Sequence, residues 1–189
     1  MNSVPPLRKA VFLDRDGTIN EECDYLFRIE DCRFIPGVAE AIRRFNDAGF
    51  MVIVVTNQSG VARGFYGVDD IVDLHTWMSE QLAAGGARID AWYYCPHHPE
   101  YGDITDCDCR KPFPGMLLQA AAEHGIDLAS SWMVGDKLAD IEAGIAAGCR
   151  PLLVRTGYGA RHEAKVSPDV VVVDTLLDAA DYILSNIQV

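Results

Sequence analysis

The chain predicts a parallel, doubly wound α/β sheet, and three observations lead there. Short apolar runs alternate with helical patterns along its 189 residues. Those runs are β-branched and nearly continuous in hydrophobicity, as strands buried on both faces require. Polar clusters close the first, second and fourth runs, at the edge where such a sheet presents its ligand site.

Taken in order, the strands expected are Ala10–Asp14, Met51–Asn57, Ala91–Cys95, Trp132–Asp136, Pro151–Arg155 and Val170–Asp174. Helical patterns fall between them at Val38–Ala48, Val68–Ala84, Gly115–His124, Leu138–Ala147 and Thr175–Ser185. Strand–helix alternation of this kind calls for right-handed crossovers and a parallel sheet. In the second helix Val68, Ile71, Val72, His75, Met78 and Leu82 are expected to share one face, with His75 packed or at the rim rather than a ligand. Only Pro96 to Pro114 lacks a pattern, and a structureless stretch of that length needs an explanation. No repeat, linker or low-complexity tract divides the chain, so one domain spanning residues 1–189 is expected.

Composition narrows the function. Apolar residues make up 49% of the chain and are evenly spread, which suits a globular core. No apolar run approaches the ~20 residues of a membrane span, and the opening MNSVPPLRKA lacks the apolar stretch of a signal peptide. A net charge of −12 argues against nucleic-acid and acidic-membrane partners. It leaves room for a small phosphorylated ligand, because local cations and a metal can reverse the potential inside one cleft. Six cysteines in a chain without an export signal read as thiols or metal ligands, which places the protein in the cytoplasm.

The stretch FLDRDGTIN aims two carboxylates, Asp14 and Asp16, at one small space after a buried strand. A plain turn would explain Asp and Gly there. An EF-hand loop would not, since the sixth and twelfth places from Asp14 hold Ile19 and Tyr25 instead of Gly and Glu. In MVGDKLADIEAG, Asp136 closes another buried strand, Lys137 follows, and Asp140 lies four residues on. Asp136 could merely cap the next helix. Gathered at one sheet edge, however, hard oxygen ligands suit Mg²⁺, which also offsets their mutual repulsion. One carboxylate could then attack phosphorus while the other handles the leaving-group proton. VVTNQSGVARG adds a phosphate cradle at Thr56-Asn57-Gln58-Ser59-Gly60, and Arg63 either reaches substrate or stays a solvated loop cation.

The irregular stretch contains CPHHPEYGDITDCDCRKPFPG. Cys95 and His97 form one two-ligand arm, Cys107 and Cys109 the other. Three thiolates and an imidazole make a closed tetrahedral zinc set, so the site is expected to be structural. Spacing alone leaves His97 and His98 both available. Arg110 and Lys111 follow the last ligand directly, and a tethered loop would hold both cations over the magnesium site. Cys23, Cys32 and Cys149 have no partner pattern.

These four marks, D-x-D-G-T, a Thr after the second strand, a basic residue and G-D-x-x-x-D, resemble the haloacid-dehalogenase phosphatase superfamily. The resemblance implies that Asp14 is the nucleophile, forming an aspartyl-phosphate, and that Asp16 is general acid and then base. It implies Mg²⁺ on the Asp14 side chain, the Asp16 carbonyl and Asp136, with Asp140 supporting that site by hydrogen bonding. Thr56 and Lys111 would stabilise the transferring phosphoryl oxygens. Over nearly its full length the chain is similar to the small, cap-less, zinc-bearing branch that acts on heptose bisphosphate in bacterial heptose nucleotide synthesis, whose product enters surface glycans such as lipopolysaccharide. That branch favours His97 over His98 and implies substrate contacts from Glu22, Cys23, Asp24, Tyr25, Thr56, Asn57, Gln58, Ser59, Arg110 and Lys137. The sequence departs from its pattern at Cys23-Asp24.

Three rivals remain. A histidinol-phosphate phosphatase shares the fold but carries a shorter zinc loop. A phospho-receiver module shares Asp, Mg²⁺, Thr and Lys but lacks an Asp two residues after the nucleophile. A zinc-binding interaction module would leave Asp14, Asp16 and Asp136 idle. The partners expected are thus a small phosphorylated sugar, no nucleic acid and no membrane, with the chain acting as a monomer. No interval has room for a sizeable cap, so an open site with loop-borne selectivity is expected.

Overall fold

The computed structural model describes residues 6–186. Six strands, β1 (Ala10–Leu13), β2 (Met51–Asn57), β3 (Ala91–Cys95), β4 (Trp132–Gly135), β5 (Arg150–Val154) and β6 (Val171–Val173), form one sheet. Its order is β3-β2-β1-β4-β5-β6, and every neighbouring pair is parallel. The chain therefore winds outward from β1 in one direction and from β4 in the other. The switch point lies between β1 and β4, where such sheets open a crevice at their carboxyl ends.

Alternation along the strands explains why their runs are apolar throughout. Val11, Leu13, Val52 and Val54 pack into one core with α1 (Val38–Asp47), α2 (Val68–Ala84) and α6 (Leu176–Ser185). Ala10, Phe12, Ile53, Val55 and Met133 pack on the other face with α3 (Gly115–His124) and α4 (Leu138–Ala147). β3 and β6 are half-buried, because each has a neighbour on one side only.

The expected strands all form, with small shifts at their ends. Asp14, Asp136, Arg155 and Asp174 lie just past the last strand residue, and β5 begins at Arg150. Asp14 still donates its N–H to the Val134 carbonyl at 3.0 Å, so its side chain is positioned by the ladder. In α2 the buried stripe is Ile71, Leu74, His75, Met78 and Leu82. Val68 and Val72, expected on that face, are 40% and 46% exposed. Leu74 takes the inward place because positions 71, 74, 75, 78 and 82 follow the 3.6-residue period more closely. A further helix, α5 (Gly159–His162), follows β5 and is too short to show a period in sequence. Residues 96 to 114 form no helix or strand. Among the described residues no helix is long and apolar enough to cross a membrane.

Candidate active site

The carboxyl ends of β1 and β4 bring Asp14, Asp136 and Asp140 together, all buried and each offering an oxygen within 4.8 Å of the others. Lys111 reaches into the same space from the irregular stretch. Its Nζ lies 2.8 Å from Asp14 Oδ1 and 2.6 Å from Asp140 Oδ1, and it donates to the Val55 carbonyl at 2.7 Å. One ammonium cannot balance three buried carboxylates if all are ionised, so the space favours either protonation or a bound cation.

The titration behaviour agrees. Burial, then the charge of Asp14, pushes Asp136 up to about 8. The same two causes raise Asp140. Burial alone would lower Lys111, but Asp14 and Asp140 outweigh it and raise it. Asp136 Oδ2 accepts the Tyr158 N–H at 2.7 Å, whereas its Oδ1 is buried without a partner. An orphaned carboxylate oxygen beside two further carboxylates fits a hard divalent cation. Two glycines make the space: a Cβ at Gly17 (φ +87°) or Gly157 (φ +55°) would collide with the Asp136 carboxylate. The reading of Asp136 as a helix cap fails, because α4 is capped by Asp140, whose Oδ2 accepts the Lys137 N–H at 2.9 Å.

Asp16 faces the cleft from the β1 loop. Its carboxylate accepts from Arg15, Asn20 and Gln58. Burial pushes it up, but the Arg15 charge and these hydrogen bonds prevail and hold it below the usual carboxylate range. Thr56 is buried at the end of β2, and its Oγ1 accepts from Gln58 Nε2 at 2.9 Å, leaving its own proton to donate.

Above this floor opens a cleft of about 360 Å³. Of the residues expected to contact substrate, Glu22, Asp24, Tyr25, Asn57, Gln58, Ser59, Arg110 and Lys137 line it. Two do not. Cys23 is exposed on a separate outer groove with Leu26, Phe27 and Arg28, since it lies between two residues whose side chains turn to the cleft. Arg63 is drawn away by aromatic faces: its guanidinium lies 4.1 Å from the Tyr101 ring centre and 5.9 Å from that of Tyr25, with Nη2 3.0 Å from His98 Nε2. The cradle is also reapportioned. Gln58 spends its N–H on the Cys95 carbonyl at 2.7 Å, and Asn57 is paired with the Lys111 backbone in both directions. Lys137, expected on substrate, pairs with Glu22 at 2.7 Å within the cleft wall.

Tyr66, Ala139 and Tyr158 complete the lining and were not anticipated. Tyr158 follows β5, so the rule that placed the other strand ends would have found it in the segment RTGYG. A larger hollow of about 710 Å³ lies by Trp132, Arg150 and Tyr182, near the amino ends of β4 and β5, remote from the carboxylates.

Beside the cleft, Cys95, His97, Cys107 and Cys109 form a second cluster. Cys109 Sγ lies 3.0 Å from Cys95 Sγ, 3.4 Å from Cys107 Sγ and 3.4 Å from His97 Nδ1. Cys95 and Cys107 sulfurs are 3.7 Å apart. Four soft donors at these separations fit one tetrahedral ion, whose ~2.3 Å metal–sulfur bonds put sulfurs less than ~4 Å apart. His97 is the histidine that joins this cluster, whereas His98 accepts the Glu100 N–H and faces Arg63. Arg110 braces this loop by donating to the His97 carbonyl at 3.1 Å.

Fold and floor together define a phosphatase site of the haloacid-dehalogenase type, and residues 108–179 match the family described as HAD-hydrolase-like. The chain belongs to the D-glycero-D-manno-heptose-1,7-bisphosphate 7-phosphatase family. It is 47% identical to that enzyme of Escherichia coli, over 86% of this chain and 87% of the relative. It is 45% identical to that of Thermosynechococcus vestitus, over 95% and 97%. Among solved structures, the D,D-heptose 1,7-bisphosphate phosphatase of B. bronchiseptica, complexed with magnesium and phosphate, superposes with a TM-score of 0.85 at 36% identity. That match covers 94% of this chain and 98% of the other.

Proposed function

We propose that the chain hydrolyses the C7 phosphate of D-glycero-D-manno-heptose 1,7-bisphosphate, in the supply of heptose nucleotide precursors for bacterial surface glycans. The observation that carries the chemistry is the pair Asp14 and Asp16 at the end of β1, with Lys111 on Asp14 Oδ1 and the buried Asp136 and Asp140 carboxylates crowded beside them. Family membership supports the substrate.

An Asp14 oxygen attacks phosphorus, forming an aspartyl-phosphate as the bond from phosphorus to the C7 oxygen breaks. Asp16, ionised in the free site, takes up a proton when the anionic substrate enters beside it and gives that proton to the departing oxygen. It then takes one from the water that hydrolyses the aspartyl-phosphate and frees Asp14. Mg²⁺ held by the Asp14 side chain, the Asp16 carbonyl and Asp136 would supply charge neutralisation for the phosphoryl oxygens. Lys111 and the Thr56 hydroxyl donate to those oxygens, and Asp140 keeps Lys111 aimed at them. Zn²⁺ on Cys95, His97, Cys107 and Cys109 would hold the loop that presents Arg110 and Lys111. At the mouth Arg110 takes the C1 phosphate, while Glu22 and Asp24 repel it and read sugar hydroxyls.

Phosphorus NMR on the product tests this reading. The expected spectrum retains the C1 anomeric phosphate and loses the C7 ester. Loss of the anomeric phosphate, or faster turnover of histidinol phosphate, would reject it.

A further inference from the structure

Asp16 must present one oxygen to the leaving group, and the structure shows what orients it. Oδ1 accepts from Arg15 Nε and Asn20 Nδ2, both at 3.0 Å. Oδ2 accepts from Arg15 Nη2 at 2.9 Å and Gln58 Nε2 at 3.0 Å. Arg15 thus grips the carboxylate with a planar fork, a geometry that sets the plane of the carboxylate as well as its charge.

Arg15 is itself fully buried, and its other donors need acceptors. Nη2 also donates to the Leu26 carbonyl at 2.9 Å, and Nη1 lies 3.2 Å from His75 Nε2. A guanidinium can only donate, so Nε2 is the acceptor and the neutral ring carries its proton on Nδ1. Burial and the Arg15 charge hold His75 at about 3, which keeps it an acceptor across the neutral range. Its ring is clamped against Trp92, with centres 4.1 Å apart and planes 19° from parallel. His75 does not line the cleft, and the catalytic steps above make no use of it.

We propose that His75 is a positioning residue for the general acid: clamped on Trp92, it fixes the Arg15 fork, and the fork holds the Asp16 carboxylate in place at the cleft, where the bond from Gln58 or Asn20 yields to the leaving-group oxygen. This inference rests on the phosphatase reading and adds a buried relay from α2 to the reacting bond. Its signature is dependence on the leaving group. An alkoxide must receive the Asp16 proton as it departs, whereas p-nitrophenolate leaves without one. A merely structural residue would move both reactions alike.

The experiment compares kcat/KM on heptose bisphosphate and on p-nitrophenyl phosphate, because kcat/KM reports the transfer to Asp14 in which the leaving group departs. His75→Leu should lose about tenfold or more on the sugar phosphate and less than about threefold on the aryl ester, since acid catalysis is needed only for the first. His75→Gln, whose amide oxygen can accept from Arg15, should recover most of the sugar phosphate activity. Arg15→Lys keeps the charge but loses the fork, and should repeat the selective loss. Should His75→Leu not fold, the contrast between His75→Gln and Arg15→Lys carries the same comparison. Equal losses on both substrates, or none on either, would overturn the proposal. Wild-type protein that releases phosphate from neither substrate would overturn the phosphatase reading and this inference with it, an outcome recognisable without any variant.

Discussion

At the bottom of the cleft Asp14, Asp136 and Asp140 are buried and held by strand ends, a helix cap and one lysine. Around its mouth, Tyr25, Arg110 and Tyr158 sit on loops that are held by other loops. Tyr25 adopts a left-handed backbone (φ 62°) and meets Phe65 edge-on at 4.8 Å. Arg63 bridges Tyr25 and Tyr101, and Arg110 rests on His97 of the cysteine loop. The contrast teaches that the buried carboxylates of the floor borrow their rigidity from the sheet. The mouth has no sheet to borrow from and uses the loop gathered at the Cys95, His97, Cys107 and Cys109 cluster and cation–aromatic contacts instead. A change in the floor should therefore abolish chemistry and spare the fold, whereas a change in the rim should alter substrate choice or loop order in steps.

The largest effect should come from Asp14→Asn. Its amide is a poor nucleophile and a poor ligand, so phosphate release should fall to background. The fold should survive, because Lys111 keeps Asp140 as its partner. Assay of the purified variant checks both, and retained turnover with a native melting curve would break the division between floor and rim.

Next in size is Cys107→Ser, a rim change that removes one soft ligand. Bound zinc should fall well below one per chain and the melting temperature should drop, because ligand binding and loop folding are coupled. Activity should fall with them, since Arg110 and Lys111 follow the loop. Elemental analysis beside a melting curve is the measurement; an unchanged metal content would remove the zinc from the account.

Arg110→Ala should be smaller and selective. Loss of a charge-assisted contact costs ~1.5–3 kcal/mol, or about one to two decades in kcat/KM. That loss should appear on the bisphosphate and be nearly absent on a sugar carrying only the C7 phosphate. Equal losses on both would assign Arg110 to the floor.

The smallest effect should be a pH dependence of magnesium binding seen as stability. Asp136 sits at about 8 in the metal-free fold, against an ordinary 3.8. The folded state then binds more protons than the unfolded chain, so metal-free stability falls as pH rises between those two values. A cation reverses the repulsion that causes this. Added magnesium should raise the melting temperature more near about pH 8 than near about pH 5. An equal rise at both would mean that the ion does not reach Asp136.

Much of this was legible before the structure. Asp14 and Asp136 follow apolar runs that can only be strands buried on both faces, and a parallel sheet collects strand ends at one edge. Cys95, Cys107 and Cys109, with one of His97 and His98, stand out as candidate metal ligands by donor chemistry, whatever path the loop takes between them. Local order and donor type travel with the sequence, so the fold class, the carboxylates of the floor and the three clustered thiols could be read from it. The direction of each loop side chain depends on contacts between residues far apart in the chain. Those contacts turned Arg63 from the cleft to Tyr101, sent Cys23 outward, brought Tyr158 in and chose His97 over His98. They also placed His75 behind Arg15, from 60 residues away. A motif reports which groups share an edge, whereas the packing of distant segments decides which way each one faces, because burial and pairing are settled only when those segments meet.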